Sequence, residues 1–402
     1  MVENITQEIC DQYLRCPSCH AEGKLYIESK EVMICNSCLT RYPIAHDIPA
    51  LMISSEIHQK SYGFLGWENN DDTIGVNPYE KQRFFPFWLE ALFFGILSEI
   101  LYFFVGLLLW VRAPLTLFEK SGKWTRGVHY CSEMKEALYY GWTNYFNLIL
   151  KSGEIVAFNR MKSYINEPSM EIGCGNCMTT NMIFRDSLNV TFGCEYFMDG
   201  YLDSPEDLYK VIKHYVGGSI KSLPFSSNVF ESIYMVHIID HIHLLDNWFH
   251  EINRIIKPGG YLVIDTYSKY VFDQLPGVRW RSKISKSWAI KYKNSRICRL
   301  NPYRYWIPLK TDDEFYATGQ NMFSIDEWSV IVEKYGFKMI DYYPFTNKLF
   351  SFFMDLEYRG YYPSITGSIP IYLAIDEEIN RGKNSLITEE EAGNIIMVFQ
   401  KV

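Results

Sequence analysis

The chain of 402 residues reads as an α/β protein, a sheet with helices on both faces, preceded by a small cysteine-rich unit and a hydrophobic helical connector. Three observations carry this expectation. MEIGCGNC at 170–177 puts a glycine-rich turn between a short strand and the helix-prone MTTNMIFRDSL. Strand-like and amphipathic helical runs then alternate to the C-terminus, the pattern of a mainly parallel sheet. Two CxxC pairs stand near the N-terminus, in CPSCH and CNSC.

The cysteine-rich unit is placed at 1–57. Cys16, Cys19, Cys35 and Cys38 follow the pattern CxxC, fifteen residues, CxxC, which matches a structural zinc ribbon. Four thiolates close a tetrahedral site and leave no open position for catalysis. So small a segment has little core of its own, and metal binding would supply much of its folding energy. The following RYPIAHDIPALM resembles the end of the small zinc-binding domains that activate tRNA, rRNA and protein methyltransferases, where it forms strands beside the ribbon. His20 and His46 are read as bystanders.

The connector is placed at 58–126. Residues 84–118 are strongly apolar, and 91–111 contain only Ser98 and Glu99 as polar interruptions. A helix over 91–111 would be about 30 Å long, enough to span a bilayer. Reduced thiols on one side and a cytosolic enzyme on the other conflict with a single span. Lys81 and Arg83 precede the run, and Arg112, Lys120, Lys123 and Arg126 follow it. These flanks suit a hairpin or an in-plane anchor. The alternatives are a buried helix and a homodimer interface.

Residues 127–165 read as two or three helices with aromatic faces. Beyond them the glycine turn brings backbone close to a ligand. Glu195 ends a second apolar run twenty residues past Gly175, a spacing that suits a carboxylate accepting from ribose hydroxyls. LPF at 223–225 precedes a strand at 232–236, and RIIKPGG at 254–260 precedes another at 261–265. EIGCGNC, the spaced acid, LPF and RIIKPGG together resemble the class I S-adenosylmethionine-dependent methyltransferases, in particular their type 11 group.

The resemblance covers about 150–402. It implies a Rossmann-like seven-stranded methyltransferase sheet over 127–402, with insertions at about 268–318 and 344–391. It also implies S-adenosylmethionine held by Glu171, Gly173, Gly175, Asn176, Glu195, Ser219, Ile220 and His237. Cys177 stands where the family turn has its third glycine, and Ser219-Ile220 where an acid usually meets the adenine. Methyl transfer needs a nucleophile held in line with the carbon–sulfur bond, and some nucleophiles need a base. His241 falls where the family often has a histidine, with His237 and Asp240 in the same turn. His241 is read as a general base or, alternatively, as a residue that shapes the pocket. A metal at these histidines has no matching ligands in the local sequence. FSIDEW at 323–328 implies a capped helix before the sixth strand, and GNIIMVFQKV the closing seventh strand.

Between 268 and 310 stand eleven basic residues and one acid, +10 against a net charge of −8 for the whole chain. Trp280, Trp288, Tyr292, Tyr303, Tyr305 and Trp306 are interleaved with them. Such a mixture suits either RNA or an anionic membrane surface. Ten cysteines in a chain of this length do not make a disulfide scaffold. The polar N-terminus lacks the basic start and apolar core of a secretory signal, so the expectation is a cytoplasmic, membrane-associated enzyme. The first functional expectation is methylation of a lipophilic or isoprenoid-like small molecule. The alternatives are an RNA or translation-factor methyltransferase and a non-catalytic cofactor-binding partner of another methyltransferase.

Overall fold

The structure, a computed structural model, describes residues 5–45, 47–52, 96–97, 100–101, 103–104, 107–108, 111, 115–118, 123–126, 130–142, 145–175, 177–184, 190–196, 211–242, 245–299, 321–358, 369–385 and 387–402. The N-terminal unit holds α1 (Gln7–Tyr13) and strands β1 (Leu25–Ser29), β2 (Val32–Cys35), β3 (Arg41–Ala45) and β4 (Ile48–Leu51). Thr6 caps α1 by accepting from the Ile9 N–H. A hairpin of β5 (Leu115–Phe118) and β6 (Lys123–Arg126) follows. The connector is therefore not helical throughout, since its last apolar residues are paired as strands.

Next come α2 (Ser132–Tyr139), α3 (Tyr145–Met161), β7 (Ser169–Ile172), α4 (Met178–Phe184), β8 (Val190–Glu195), β9 (Ile212–Gly218), β10 (Phe230–Val236), α5 (Leu245–Ile255) and β11 (Ile256–Tyr267). The chain continues with α6 (Pro276–Ser282), α7 (Lys286–Arg299), α8 (Ile325–Glu333), β12 (Phe337–Phe345), α9 (Lys348–Tyr358), α10 (Ile369–Asn384) and β13 (Asn394–Lys401). Ser324 and Glu327 form a reciprocal capping box at α8, as FSIDEW implies.

The main sheet has eleven strands, in the order β1-β2-β3-β4-β9-β8-β7-β10-β11-β13-β12. The expected seven-stranded sheet with a separate ribbon is corrected accordingly. β7 to β13 supply one run of neighbours, and the N-terminal unit extends it. The join is parallel pairing of β4 with β9, Ala50 opposite Gly217 and Leu51 opposite Gly218. β9, β8, β7, β10 and β11 pair with one another in parallel, in that order, whereas β13 is antiparallel to both β11 and β12.

Alternation along the central strands divides two cores. Ile233 and Met235 of β10 and Leu262 and Ile264 of β11 face a core shared with α5, α8 and the N-terminal unit. Tyr234 and Val263 face the other, built with α2, α3, α9 and α10. The N-terminal unit docks on the LPF segment. Arg15 N–H donates to Pro224 O, and Ser226 N–H to Tyr13 O. The Arg15 guanidinium meets Glu251 at 2.9 Å, and Arg254 meets the same carboxylate at 2.9 Å. Leu223 and Phe225 are fully buried beneath this contact.

The second insertion, expected at 344–391, supplies α9 and α10, which pack on α3. The basic stretch in 268–310 is only partly a surface. Arg281 is buried, its guanidinium stacked on Tyr292 at 3.9 Å and Trp288 at 4.9 Å, and Tyr292 is buried with it. Lys269 and Lys293 are ion-paired to Glu327 and Asp273. The aromatics expected to meet RNA bases or headgroups thus include ones that pack the insertion onto the domain. Residues 300–320, with Tyr303, Tyr305 and Trp306, lie outside the described residues.

Candidate functional site

β7 runs buried into the glycine turn. Gly173, Gly175 and Cys177 all have left-handed backbone, with φ of +70°, +52° and +60°. Cys177 therefore keeps the conformation of the glycine it replaces, at a steric cost that glycine would not carry. At Gly173 a Cβ would come within 2.4 Å of the Ile238 side chain, so the turn after β10 lies directly against it. The Gly173 N–H donates to Cys194 O, fastening the turn to β8.

Glu195 closes the same turn. Its Oε2 accepts from the Gly175 N–H at 2.8 Å and its Oε1 from the Tyr196 N–H at 2.9 Å. Glu171 faces inward and accepts from the hydroxyls of Thr180 and Tyr234, tying α4 and β10 to β7. Burial is the main cause that pushes the Glu171 carboxyl up to about 7, against the two hydroxyl donors. Ser219 is buried, its Oγ accepting from the Lys221 N–H within a local turn, and Ile220 joins the core under the N-terminal unit. Neither supplies a charge at the place of the family acid. Asn176 lies outside the described residues.

The turn after β10 separates its candidates. Asp240 is buried. His241 ends a short 3-10 turn, Ile239–His241, and the carbonyls of Ile239 and of the following Ile242 accept from the Asn321 side chain. The side chain of His241 is outside the described atoms. His237, with φ +53°, enters a group of charged residues that the sequence reading missed. Its N–H donates to the Asp265 carbonyl at 3.0 Å. Its Nε2 lies 3.4 Å from Glu154 Oε1, and Lys151 Nζ is 2.9 Å from the same oxygen. Glu154, His237 and Asp265 offer ligand atoms within 4.8 Å of one another. This corrects the expectation that the histidines of the turn have no matching metal ligands. Glu154 comes from α3 and Asp265 from the end of β11, both far away in sequence.

Burial is the first effect on Asp265 and pushes its carboxyl up to about 8, with His237 opposing and Glu154 adding to the rise. For His237 burial acts downward, but the carboxylates of Asp265 and Glu154 outweigh it and raise the imidazole. The missed residues carried a readable signal. Lys151 and Glu154 sit in YFNLILKSGEIVAF, a helix otherwise apolar on all sides, where a charge needs a partner. A separate small cleft of about 30 Å³ lies between α3, the end of β12 and α10, and no residue of the glycine turn lines it.

The four N-terminal cysteines form a second constellation. Cys16 Sγ is 3.6 Å from Cys38 Sγ, Cys19 Sγ is 3.6 Å from Cys35 Sγ, and all four lie within 4.8 Å of one another. A tetrahedral zinc with Zn–S bonds of about 2.3 Å requires sulfurs about 3.8 Å apart, so the set fits that ion. Two matching knuckles produce it. His20 N–H donates to Cys16 O and Leu39 N–H to Cys35 O, each at 2.8 Å, with φ +62° at His20 and +61° at Leu39. His20 points no nitrogen into the group, and His46 is outside the described residues.

A mainly parallel sheet with a glycine turn after one strand and an acid closing it from the next defines a domain built to hold a nucleoside cofactor. Residues 170–264 match the family described as "Methyltransferase domain". The chain thus carries a methyltransferase domain over these residues. No curated protein matches it. Among solved structures it is similar to the [4+2]-cyclase SpnF, at 13% identity over 63% of this chain and 81% of that one, with a TM-score of 0.37. A geranyl diphosphate C-methyltransferase from Streptomyces coelicolor A3(2) shows 14% identity over 63% and 79% of the two chains, TM-score 0.35. A putative sarcosine dimethylglycine methyltransferase from Galdieria sulphuraria shows 12% identity over 63% and 85%, TM-score 0.35. At these scores no property of those proteins passes to this chain.

Proposed function

We propose that the chain methylates a lipophilic, isoprenoid-like small molecule at a membrane surface, with S-adenosylmethionine held by the glycine turn and Glu195. One observation carries the membrane part. The described helical residues between 96 and 111 expose their apolar side chains, from 37% at Leu107 to 62% at Leu108, with Phe104 at 58%. Exposed apolar side chains, flanked by Lys and Arg in sequence, suit a segment lying at a membrane interface. No helix among the described residues is long and apolar enough to cross a membrane.

Bound cofactor supplies an electrophilic methyl on its sulfonium. The chain's own part is to hold the acceptor against it. His237, next to Ile238 and hence to Gly173, stands at that end of the site, and Glu154 and Asp265 set its charge. The four cysteines are assigned a structural zinc. The RNA reading loses support because Arg281 and Tyr292 are turned inward.

The test is turnover with and without anionic vesicles. Full-length protein is expected to float with phosphatidylserine-containing vesicles and to methylate an extracted lipid fraction faster in their presence. Leu101→Glu with Phe104→Glu should abolish flotation while leaving cofactor binding intact. Flotation unchanged in that variant, or none in the wild type, overturns the membrane assignment.

A further inference from the structure

We propose that Glu154, His237 and Asp265 bind a divalent cation, as one imidazole nitrogen and two carboxylate oxygens gathered at the C-terminal ends of β10 and β11. The site is separate from the four-cysteine cluster and does not depend on which acceptor the enzyme uses.

Geometry comes first. The three ligand atoms lie within 4.8 Å of one another. A cation with bonds of about 2.1 Å needs ligand atoms about 3 Å apart when adjacent and about 4.2 Å apart when opposite. The group meets this with small side-chain adjustments. Its members come from three parts of the chain, α3, the turn after β10 and the end of β11, so the fold itself brings them together.

Satisfaction comes second. Asp265 is fully buried, and neither of its carboxylate oxygens has a hydrogen-bond partner. Neither ring nitrogen of His237 has one either, for the 3.4 Å approach to Glu154 lacks hydrogen-bond geometry. A buried carboxylate with two empty oxygens beside an imidazole with two empty nitrogens is costly unless something sits between them. A cation bonded to both relieves both.

Charge comes third. Glu154 and Asp265 are fully buried, and the ammonium of Lys151, a residue only 9% exposed, lies 2.9 Å from Glu154. Glu154 and Asp265 stand beside one ammonium, that of Lys151, and a divalent ion between them would engage both carboxylates. Lys151 holds Glu154 through both carboxylate oxygens at 2.9 Å and so fixes the ligand's orientation. One nitrogen with two oxygens suits Mn²⁺, Fe²⁺ or Zn²⁺ better than a soft ion, whereas the four thiolates select zinc. Three protein ligands leave coordination positions open to an oxygen of the acceptor.

Mn²⁺ separates the two sites, because thiolates bind it poorly and it is paramagnetic. The full-length chain, with zinc retained, is titrated with Mn²⁺ and followed by electron paramagnetic resonance. One saturable Mn²⁺ per chain is expected, with hyperfine coupling to a single imidazole nitrogen. His237→Asn, chosen because Asn tolerates the left-handed backbone, should abolish that coupling. Asp265→Asn should weaken Mn²⁺ binding at least 100-fold. Mn²⁺ should raise the melting temperature of the wild type but not of Asp265→Asn, a reading that also checks that the variant folds. Three results overturn the proposal: no saturable Mn²⁺, binding that survives both substitutions, or nitrogen coupling retained in His237→Asn.

Discussion

At the scale of single residues, Glu195 and Gly173 carry the cofactor assignment. Glu195 presents two oxygens at the end of β8, and each accepts a backbone N–H. Glu195→Ala removes a charge-assisted acceptor worth about 1.5–3 kcal/mol. Affinity for S-adenosylmethionine should then fall roughly 10- to 100-fold by calorimetry, and unchanged affinity would remove Glu195 from the site. Gly173→Ala forces a Cβ to within 2.4 Å of Ile238 at a left-handed position. It should cost about 1–3 kcal/mol in stability, read from denaturant unfolding, and displace the turn that carries His237. Sequence spacing pointed to Glu195 and the two glycines, because a turn and a spaced acid are local signals, and the structure brings Glu195 onto the Gly175 N–H. It assigned Glu171 to the cofactor, whereas the structure ties that carboxylate to Thr180 and Tyr234. Direction along a strand decides this, and spacing does not encode it. Glu154 and Asp265 were missed for a different reason. Their partner, His237, is 83 residues from one and 28 from the other, and only the crossover of β10 and β11 beneath α3 joins them.

At the scale of elements, the N-terminal unit is coupled to the sheet rather than tethered to it. β4 pairs with β9, and the Arg15–Glu251–Arg254 group locks the LPF segment under Leu14. The paired CxxC motifs were legible because metal geometry fixes their spacing. The docking was not legible, since nothing in IPAL states which strand edge it will meet. Removing metal with a chelator should release one zinc per chain by elemental analysis, and Cys35→Ser should have the same effect. Either change should also lower the stability of the methyltransferase part through loss of the β4–β9 pairing, seen as faster hydrogen exchange in β9. Zinc loss with β9 unaffected would show the two to be independent.

The Glu251 cluster gives a pH signature. Burial acts to raise the Glu251 carboxyl, but hydrogen bonds and charge from Arg254, with Arg15 adding to them, hold it below the ordinary carboxylate range. A depressed folded value means that the stabilisation is present above the unfolded pKa of about 4.3 and is lost as pH falls through the folded value. Glu251→Gln should therefore cost about 1.5–3 kcal/mol at pH 7. The difference from wild type should shrink below about pH 4, where the wild-type carboxyl is itself protonated. A difference that stays constant between pH 3 and 7 would exclude the charged pair as its source.

At the scale of the whole molecule, three features meet on one chain: a glycine turn closed by Glu195, exposed apolar side chains within 96–111 and a buried polar group at α3. The alternation of strands and helices made the sheet legible, and the connector's composition marked it as unusual. That described side chains within it are exposed required the structure, because apolarity all round carries no direction. The basic insertion shows the opposite case, where Arg281 and Tyr292 looked like a surface and are part of the packing.

The central claim is methyl transfer to a lipophilic acceptor. Its most direct test is to incubate the purified full-length enzyme and a membrane-containing cell extract with S-adenosylmethionine labelled in its methyl group. The extract is then divided into organic-soluble, nucleic acid and protein fractions. Label is expected in the organic phase, to depend on Glu195, and to fall when Leu101 and Phe104 are changed to Glu. Label confined to RNA or protein, with none in the organic phase, would contradict it.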